Sequence, residues 1–242
     1  WTMTSGTTAC DDFFDIGSSD GIVRVDGTGE MNYETVTSCD ITVTATSADT
    51  STATSATISI AITDIDEFDA STPTDSNSAT NTVAENAAVA ATVGLTALSS
   101  DSDGTTNTIT YTVSAQSCAS LFGVDSSTGV VTVAATTNLD YETATSCTVE
   151  ITATSADTST AATTFTVAVT DIDEFDVSTP TDSDSTADTV AENAADDTAV
   201  GVTGSASDAD GSTNTITWTM TSGTTACDDF FDIGSSDGIV RV

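Results

Sequence analysis

Residues 63–69 read TDIDEFD, and residues 170–176 repeat those letters at an offset of 107. Around them, VAEN at 83–86 returns at 190–193, again 107 on, and TSADTST at 46–52 returns at 154–160, 108 on. Residues 1–25 return letter for letter at 218–242, an offset of 217, or two units. The chain therefore reads as a string of related units in which every second unit is alike, the mark of a tandem array. On that period the sequence holds the later part of one repeat (1–69), a complete repeat (70–176) and the first part of a third (177–242). Trp1 aligns with Tyr111 inside an expected strand, and Val242 follows a strand still needing a partner. Both ends thus read as cuts through a longer array.

Within one unit the apolar positions alternate. ITYTV (109–113), TVEITA (148–153) and TFTVAV (164–169) have the period of two that places one face in a core. VVTV (130–133) follows the turn DSSTG, whose glycine accepts a positive φ. Short strands near LFGV and after VAEN bring the total to about seven per unit, which with no helical period predicts an all-β fold of tandem Greek-key, immunoglobulin-like sandwiches in a linear array. Ile109, Tyr111, Val113, Val131, Val133, Val149, Ile151, Phe165, Val167 and Val169 are the expected inward face. STPTDSNSATNT (71–82) and STPTDSDSTADT (178–189) alternate poorly and read as a polar edge strand or linker. Ser/Thr-rich composition with Pro also marks them as candidate O-glycosylation segments.

Hydrophobic residues are 38% of the chain and aromatics only 5%, so a core must be built from small and β-branched side chains, which suit strands. Asp and Glu number 38 against 2 Lys+Arg and no His, a formal net charge of −36. Nucleic acid is thereby excluded as a partner, because phosphate binding needs clustered cations. No apolar run is long enough to cross a bilayer as a helix. With neither His nor Lys, acid–base chemistry falls to carboxylates and phenols. Their pairs recur in every unit, as structural groups do, so no enzyme is expected. Cys10 and Cys39 are 29 apart, as are Cys118 and Cys147, while Cys227 is Cys10 moved on by 217. That spacing predicts disulfides Cys10–Cys39 and Cys118–Cys147 with Cys227 unpaired, and an oxidising extracellular setting; buried free thiols are the alternative.

The carboxylates gather at expected strand ends: DSDG (101–104), DYE (140–142), AD (156–157) and DIDE (171–174). In a row of sandwiches these lie at the poles, where neighbouring units meet. Clustered carboxylates repel unless a cation lies between them, and oxygen-only ligands favour Ca2+. A solvated acidic rim is the other reading of the same pattern.

VAEN (83–86), DSDGTTNTITY (101–111), NLDYE (138–142), SAD (155–157) and TDIDEFD (170–176), in that order, resemble the extracellular cadherin repeat and its bacterial cadherin-like relatives. The resemblance runs over essentially the whole chain and implies junctions that clamp calcium and stiffen. By position it implies ligands Glu85, Asp140, Glu142, Asp173, Glu174, Asp208 and Asp210, with backbone oxygens of Phe175 and Asn214, at one junction. At the other it implies Asn32, Glu34, Asp66, Glu67, Asp101, Asp103 and Asp157, with the carbonyls of Phe68 and Asn107. Asp64 and Asp171 stay outside this set, because the first Asp of the family's linker motif is often not a ligand. DIDEF departs from the family's DxNDN linker, Asn32 stands where an Asp is usual, and Ala84 and Ala191 replace the usual Pro.

The function this implies is that of an extracellular or cell-surface filament or fibre shaft of calcium-stiffened repeats, its partners being further copies of the repeat and divalent cations. An adhesin or ligand-binding module and a surface-layer subunit are the alternatives, Trp1 and Trp218 being the first place to seek a ligand. A further alternative is a non-covalent filament in which part-repeats of different chains complete each other. Against that stands the competition of residues 1–25 and 218–242 for one structural slot.

Overall fold

The computed structural model describes residues 1–242 apart from 28–29, 136–138, 222, 224–226 and 228, so Asn138 of the NLDYE motif lies outside the described residues. The central repeat carries β7 (Thr74–Asp75), β8 (Thr82–Ala84), β9 (Thr92–Leu98), β10 (Thr110–Gln116), β11 (Phe122–Val124), β12 (Val130–Val133), β13 (Ser146–Thr154) and β14 (Thr160–Thr170). These form two four-stranded sheets, β10-β13-β14-β8 and β11-β12-β9-β7. The longest ladder is the antiparallel β13–β14 pair, running from Ser146 opposite Ala168 to Thr154 opposite Thr160. β8 joins the far edge of β14 in parallel, Val83 beside Val169.

Alternation builds the core between these sheets. Along β13, Cys147, Val149, Ile151 and Ala153 are buried, while Ser146 and Thr148 face out. They meet Val93, Leu95, Val131 and Val133 from the facing sheet and Leu121, Tyr111, Val167 and Val169 around them. Each buried Val, Leu or Ile contributes about 1.5–3 kcal/mol. Of the expected inward residues, Ile109, Val113 and Phe165 are only partly buried, packing at the margin of this cluster. The turn before β12 is fixed by Asp125, whose carboxylate accepts the Ser127 and Thr128 amides. Gly129 takes φ +71° there, and a Cβ on it would lie 2.1 Å from the Ala97 carbonyl oxygen. Segment 71–82 carries the two-residue edge strand β7 and the first residue of β8; Asp75 ends β7 by accepting the amides of Asn77 and Thr96.

The flanking repeats each show part of this plan. Residues 1–69 contain β1 (Thr2–Ser5), β2 (Phe14–Ile16), β3 (Val23–Val25), β4 (Ser38–Thr46), β5 (Thr52–Thr54) and β6 (Ile58–Ala61). β1 and β5 flank β4, β6 also pairs with β4, and β2–β3 form a separate hairpin. Trp1 lies just outside β1, its amine donating to the Ser18 carbonyl. After residue 176 come β15 (Thr181–Asp182), β16 (Ala199–Ser205), β17 (Asp232–Ile233) and β18 (Ile239–Arg241), in one sheet ordered β15-β16-β18-β17. The first part-repeat thus resembles the β10-side sheet of the centre, and the last resembles the β9-side sheet. Disulfides join Cys10 to Cys39 and Cys118 to Cys147, and Cys227 is free. Trp1 packs on Gly21, and Trp218 packs between Gly204 and Gly238, so both indoles serve as turn packing.

Candidate metal centres at the repeat junctions

Beyond β6 and again beyond β14 the chain runs on as DIDEFD without regular structure, carrying its carboxylates between two sandwiches. Glu34, Asp64, Glu67 and Asp103 converge at the first such linker, and Glu85, Glu142, Asp171 and Glu174 at the second, with one oxygen of each residue within 4.8 Å of the others in its group. Each group draws on the turn before a long strand, and each takes two residues from the linker. The first adds Asp103 from the next repeat, and the second adds Glu85 from the end of β8.

Local hydrogen bonding holds these groups in place. Asp101 accepts the Asp103 amide at 2.9 Å, and Asp103 accepts the Gly104 amide at 3.1 Å and the Thr106 hydroxyl at 2.7 Å. The Asn107 side chain donates to the Asp103 carbonyl at 2.6 Å. Asp208 and Asp210 repeat this with Gly211 and Thr213. Asp103 and Asp210 are each only 1% exposed. The first junction is further tied by the Gly104 amide, which donates to Glu34 at 3.1 Å. A Cβ on Gly104 or Gly211 would lie 2.5 Å from the ring of Tyr33 or Tyr141, so only glycine lets the next repeat's loop approach so closely. Glu85 accepts the amides of Tyr141 at 2.8 Å and Ile172 at 2.6 Å, joining three segments of the repeat.

The other expected ligands are distributed around these groups. Asp66 faces Asp157 and Asp103, and Asp173 faces Asp210 and Asp208. Asp101 accepts the Ser155 hydroxyl, and Asp157 accepts the Ser159 amide. Asn32 and Asp140 each close a local turn, accepting from Thr35 and Thr143 respectively. Phe68, Phe175 and Asn214 are all exposed. Asp64 and Asp171, set aside in the sequence, enter the clusters and accept hydroxyls of Thr105 and Ser212 from the following repeat.

The groups fit a cation. Asp64 Oδ1, Asp157 Oδ2 and Asp171 Oδ1 are buried without a hydrogen-bond partner, a costly state for an anionic oxygen. No side-chain cation offsets them: Arg24 pairs with Asp20, Arg241 pairs with Asp237 and Asp197, and the chain has neither Lys nor His. Oxygen-only donors in this number suit a hard divalent ion such as calcium.

Burial and neighbouring charge raise several of these carboxyl pKa values. Glu67 and Asp66 are pushed up first by burial, then by Glu34 and by Asp157 respectively. Glu142 rises through burial and Glu85, and Asp173 rises through its contact with Asp210. Glu174 rises to about 7 through burial and then Glu85, Glu142 and Asp210. A carboxyl raised above its ordinary 4.5 favours the closed junction while protonated and opposes it once ionised. Without a cation, the closed junction should therefore lose stability as pH rises from the ordinary value to about 7. With one, the ion must displace that proton, and affinity should fall about tenfold per pH unit below neutrality. Calcium titrations on either side of neutrality check this; equal affinities would contradict it.

Residues 80–170 match the model of the cadherin domain. Over those residues the central repeat is similar to a cadherin domain. The chain shares its tandem arrangement with solved cadherin ectodomains. Over 99% of its length it superposes on a protocadherin gammaB7 EC3-6 cis-dimer structure with a TM-score of 0.73 at 18% identity, spanning 58% of that chain. Over its full length it matches mouse cadherin-23 EC22-24 (TM-score 0.69, 20% identity, 74% of that chain) and human CDH23 EC21-23 (TM-score 0.72, 19% identity, 78% of that chain). At these identities the likeness speaks for the fold. No curated protein matches the sequence. The two clusters therefore sit between consecutive cadherin-like β-sandwiches, and calcium is the ion expected of cadherin repeats. The Tyr–Gly contacts across the junctions were legible only as the Tyr of DYE and the Gly of DSDG, two residues without donor chemistry of their own.

Proposed function

We propose that the chain is part of an extracellular structural rod whose repeats (1–69, 70–176 and 177–242) are locked end to end by calcium. The observation that carries this reading is the set of buried, unpartnered oxygens of Asp64, Asp157 and Asp171 at the junctions, in a chain with no free side-chain cation to meet them. Glu34, Asp64, Glu67 and Asp103 would hold an ion at one junction, with Asp66, Asp101 and Asp157 beside them. Glu85, Glu142, Asp171 and Glu174 would hold one at the other, with Asp173, Asp208 and Asp210 alongside. The ion supplies the positive charge that cancels mutual repulsion and shares oxygens from both sides of the joint. Ordering of the linker follows, since its carboxylates gain a common partner. The protein's own contribution is the Asp–Gly loop, held by its internal hydrogen bonds, and the Tyr33 and Tyr141 rings against which Gly104 and Gly211 close.

Small-angle scattering with calcium and with chelator tests this. The expected result is a longer, narrower particle in calcium and a flexible one in chelator, with unchanged strand content by circular dichroism. Protease should cut 170–176 only in chelator. Identical scattering and cleavage in both conditions would count against the reading.

A further inference from the structure

In the central repeat β8 lies on the edge of its sheet beside β14 and runs parallel to it, Thr82 to Ala84 opposite Ala168 to Thr170. The Asn81 carbonyl accepts the Ala168 amide at 2.9 Å, and the Thr170 carbonyl accepts the Glu85 amide at 3.2 Å. The pairing thus runs past both ends of β8. β14 leads directly into the linker at 171, while β7 and then β8 receive the chain from the linker at 63–69. Tension along the array therefore drags β8 back and β14 forward, each along its own axis. The bonds between them are loaded together, not opened one after another.

The disulfide Cys118–Cys147 stands apart from this pairing. Cys118 follows β10 and Cys147 lies near the start of β13, so neither cysteine belongs to β8 or β14. The loop they close contains β11 and β12 whole, and these pair with each other, Phe122 opposite Val133. The first part-repeat sets Cys10–Cys39 around β2 and β3 in the same way, Phe14 opposite Val25, again with a separation of 29 residues. Two repeats of different sequence thus enclose the corresponding hairpin behind a disulfide.

We propose that this disulfide is a length stop, which limits how far a repeat extends under tension and holds the β11–β12 hairpin ready for refolding. The proposal rests on the rod reading, since only an array held at both ends passes tension through its repeats. Load breaks the β8–β14 pairing first, and the disulfide carries none of it until then. The chain next straightens from 85 to 118 and from 147 to 168, while the force crosses the two sulfurs and skips the 29-residue loop. Straightened, that loop would add about 90–100 Å, from ~3.3–3.6 Å per residue less the 5.6 Å between the two Cα atoms. A crosslink acts mainly on the unfolded chain, so it sets the extension and the return but not the force of rupture. On release Phe122, Val131 and Val133 are still tethered close to Cys147 and Val149, their neighbours in the core.

The full chain, with handles ligated to both termini and pulled in an optical trap, tests this against Cys118→Ala/Cys147→Ala. The two chains differ only in the central repeat, so a difference in total extension belongs to it. The double variant should extend about 90–100 Å further, rupture at unchanged force and refold more slowly. A small thiol in the trap should release the same length from the unaltered chain as a later step. Its thiolate forms a mixed disulfide with one cysteine and frees the other. Val83→Pro removes an amide from β8 and should lower the rupture force with the extension unchanged. Equal extension of the unaltered chain and the double variant, or a lower rupture force in the double variant, would overturn the proposal. So would a Val83→Pro chain that ruptures at the original force. The length difference is set by a covalent bond and should be equal in calcium and in chelator, so this failure is separable from failure of the calcium reading.

Discussion

Glu85→Ala should destabilise the central repeat by about 3 kcal/mol and cost the second junction most of its calcium affinity. Glu85 is 7% exposed and accepts two amides, those of Tyr141 and Ile172. Alanine leaves both donors without their partner at the place where β8, the turn before β13 and the linker meet. It also removes one of the four converging carboxylates. Glu85→Gln separates these effects, because its single carbonyl oxygen accepts one amide while its charge is gone. Its stability should fall between the wild type and the alanine variant, and its calcium affinity should be close to that of alanine. Urea unfolding in chelator reads the first quantity, and calcium titration reads the second. An alanine variant as stable as the wild type would show that water replaces the carboxylate without loss.

Cys118→Ala with Cys147→Ala should cost about 3–4 kcal/mol, the loop-closure contribution for a crosslink of this span. The pair closes a separation of 29 residues. It ties the turn after β10 to β13, whose Cys147 is 1% exposed and sits in the main cluster with Val149 and Val167. The urea midpoint of the central repeat should fall accordingly, and reduction of the unaltered chain should reproduce the shift. Cys227→Ser should change nothing, because that thiol has no disulfide partner. A double variant with an unshifted midpoint would mean that the core alone holds β13 in place.

The long strands were legible because their residues alternate: TVEITA and TFTVAV became the centre of the β13–β14 ladder. β8 was not, since three residues carry too little pattern and its parallel pairing depends on β14 being placed first. At the junctions, composition pointed to acidic segments but could not say where each side chain turns. Asp140 and Asn32 share a motif position with acidic neighbours, yet both close turns with Thr143 and Thr35. Asp64 and Asp171 looked peripheral in DIDEFD. They enter the clusters because the extended linker turns its first carboxylate toward the next repeat's loop, where Thr105 and Ser212 donate to it.

Anomalous diffraction from crystals grown in calcium tests the central claim most directly. The account predicts a peak within the Glu85–Glu142–Asp171–Glu174 group, with oxygens at about 2.3–2.6 Å and Asp171 Oδ1 among them. No peak at saturating calcium, with those four carboxylates turned apart toward solvent, would contradict it.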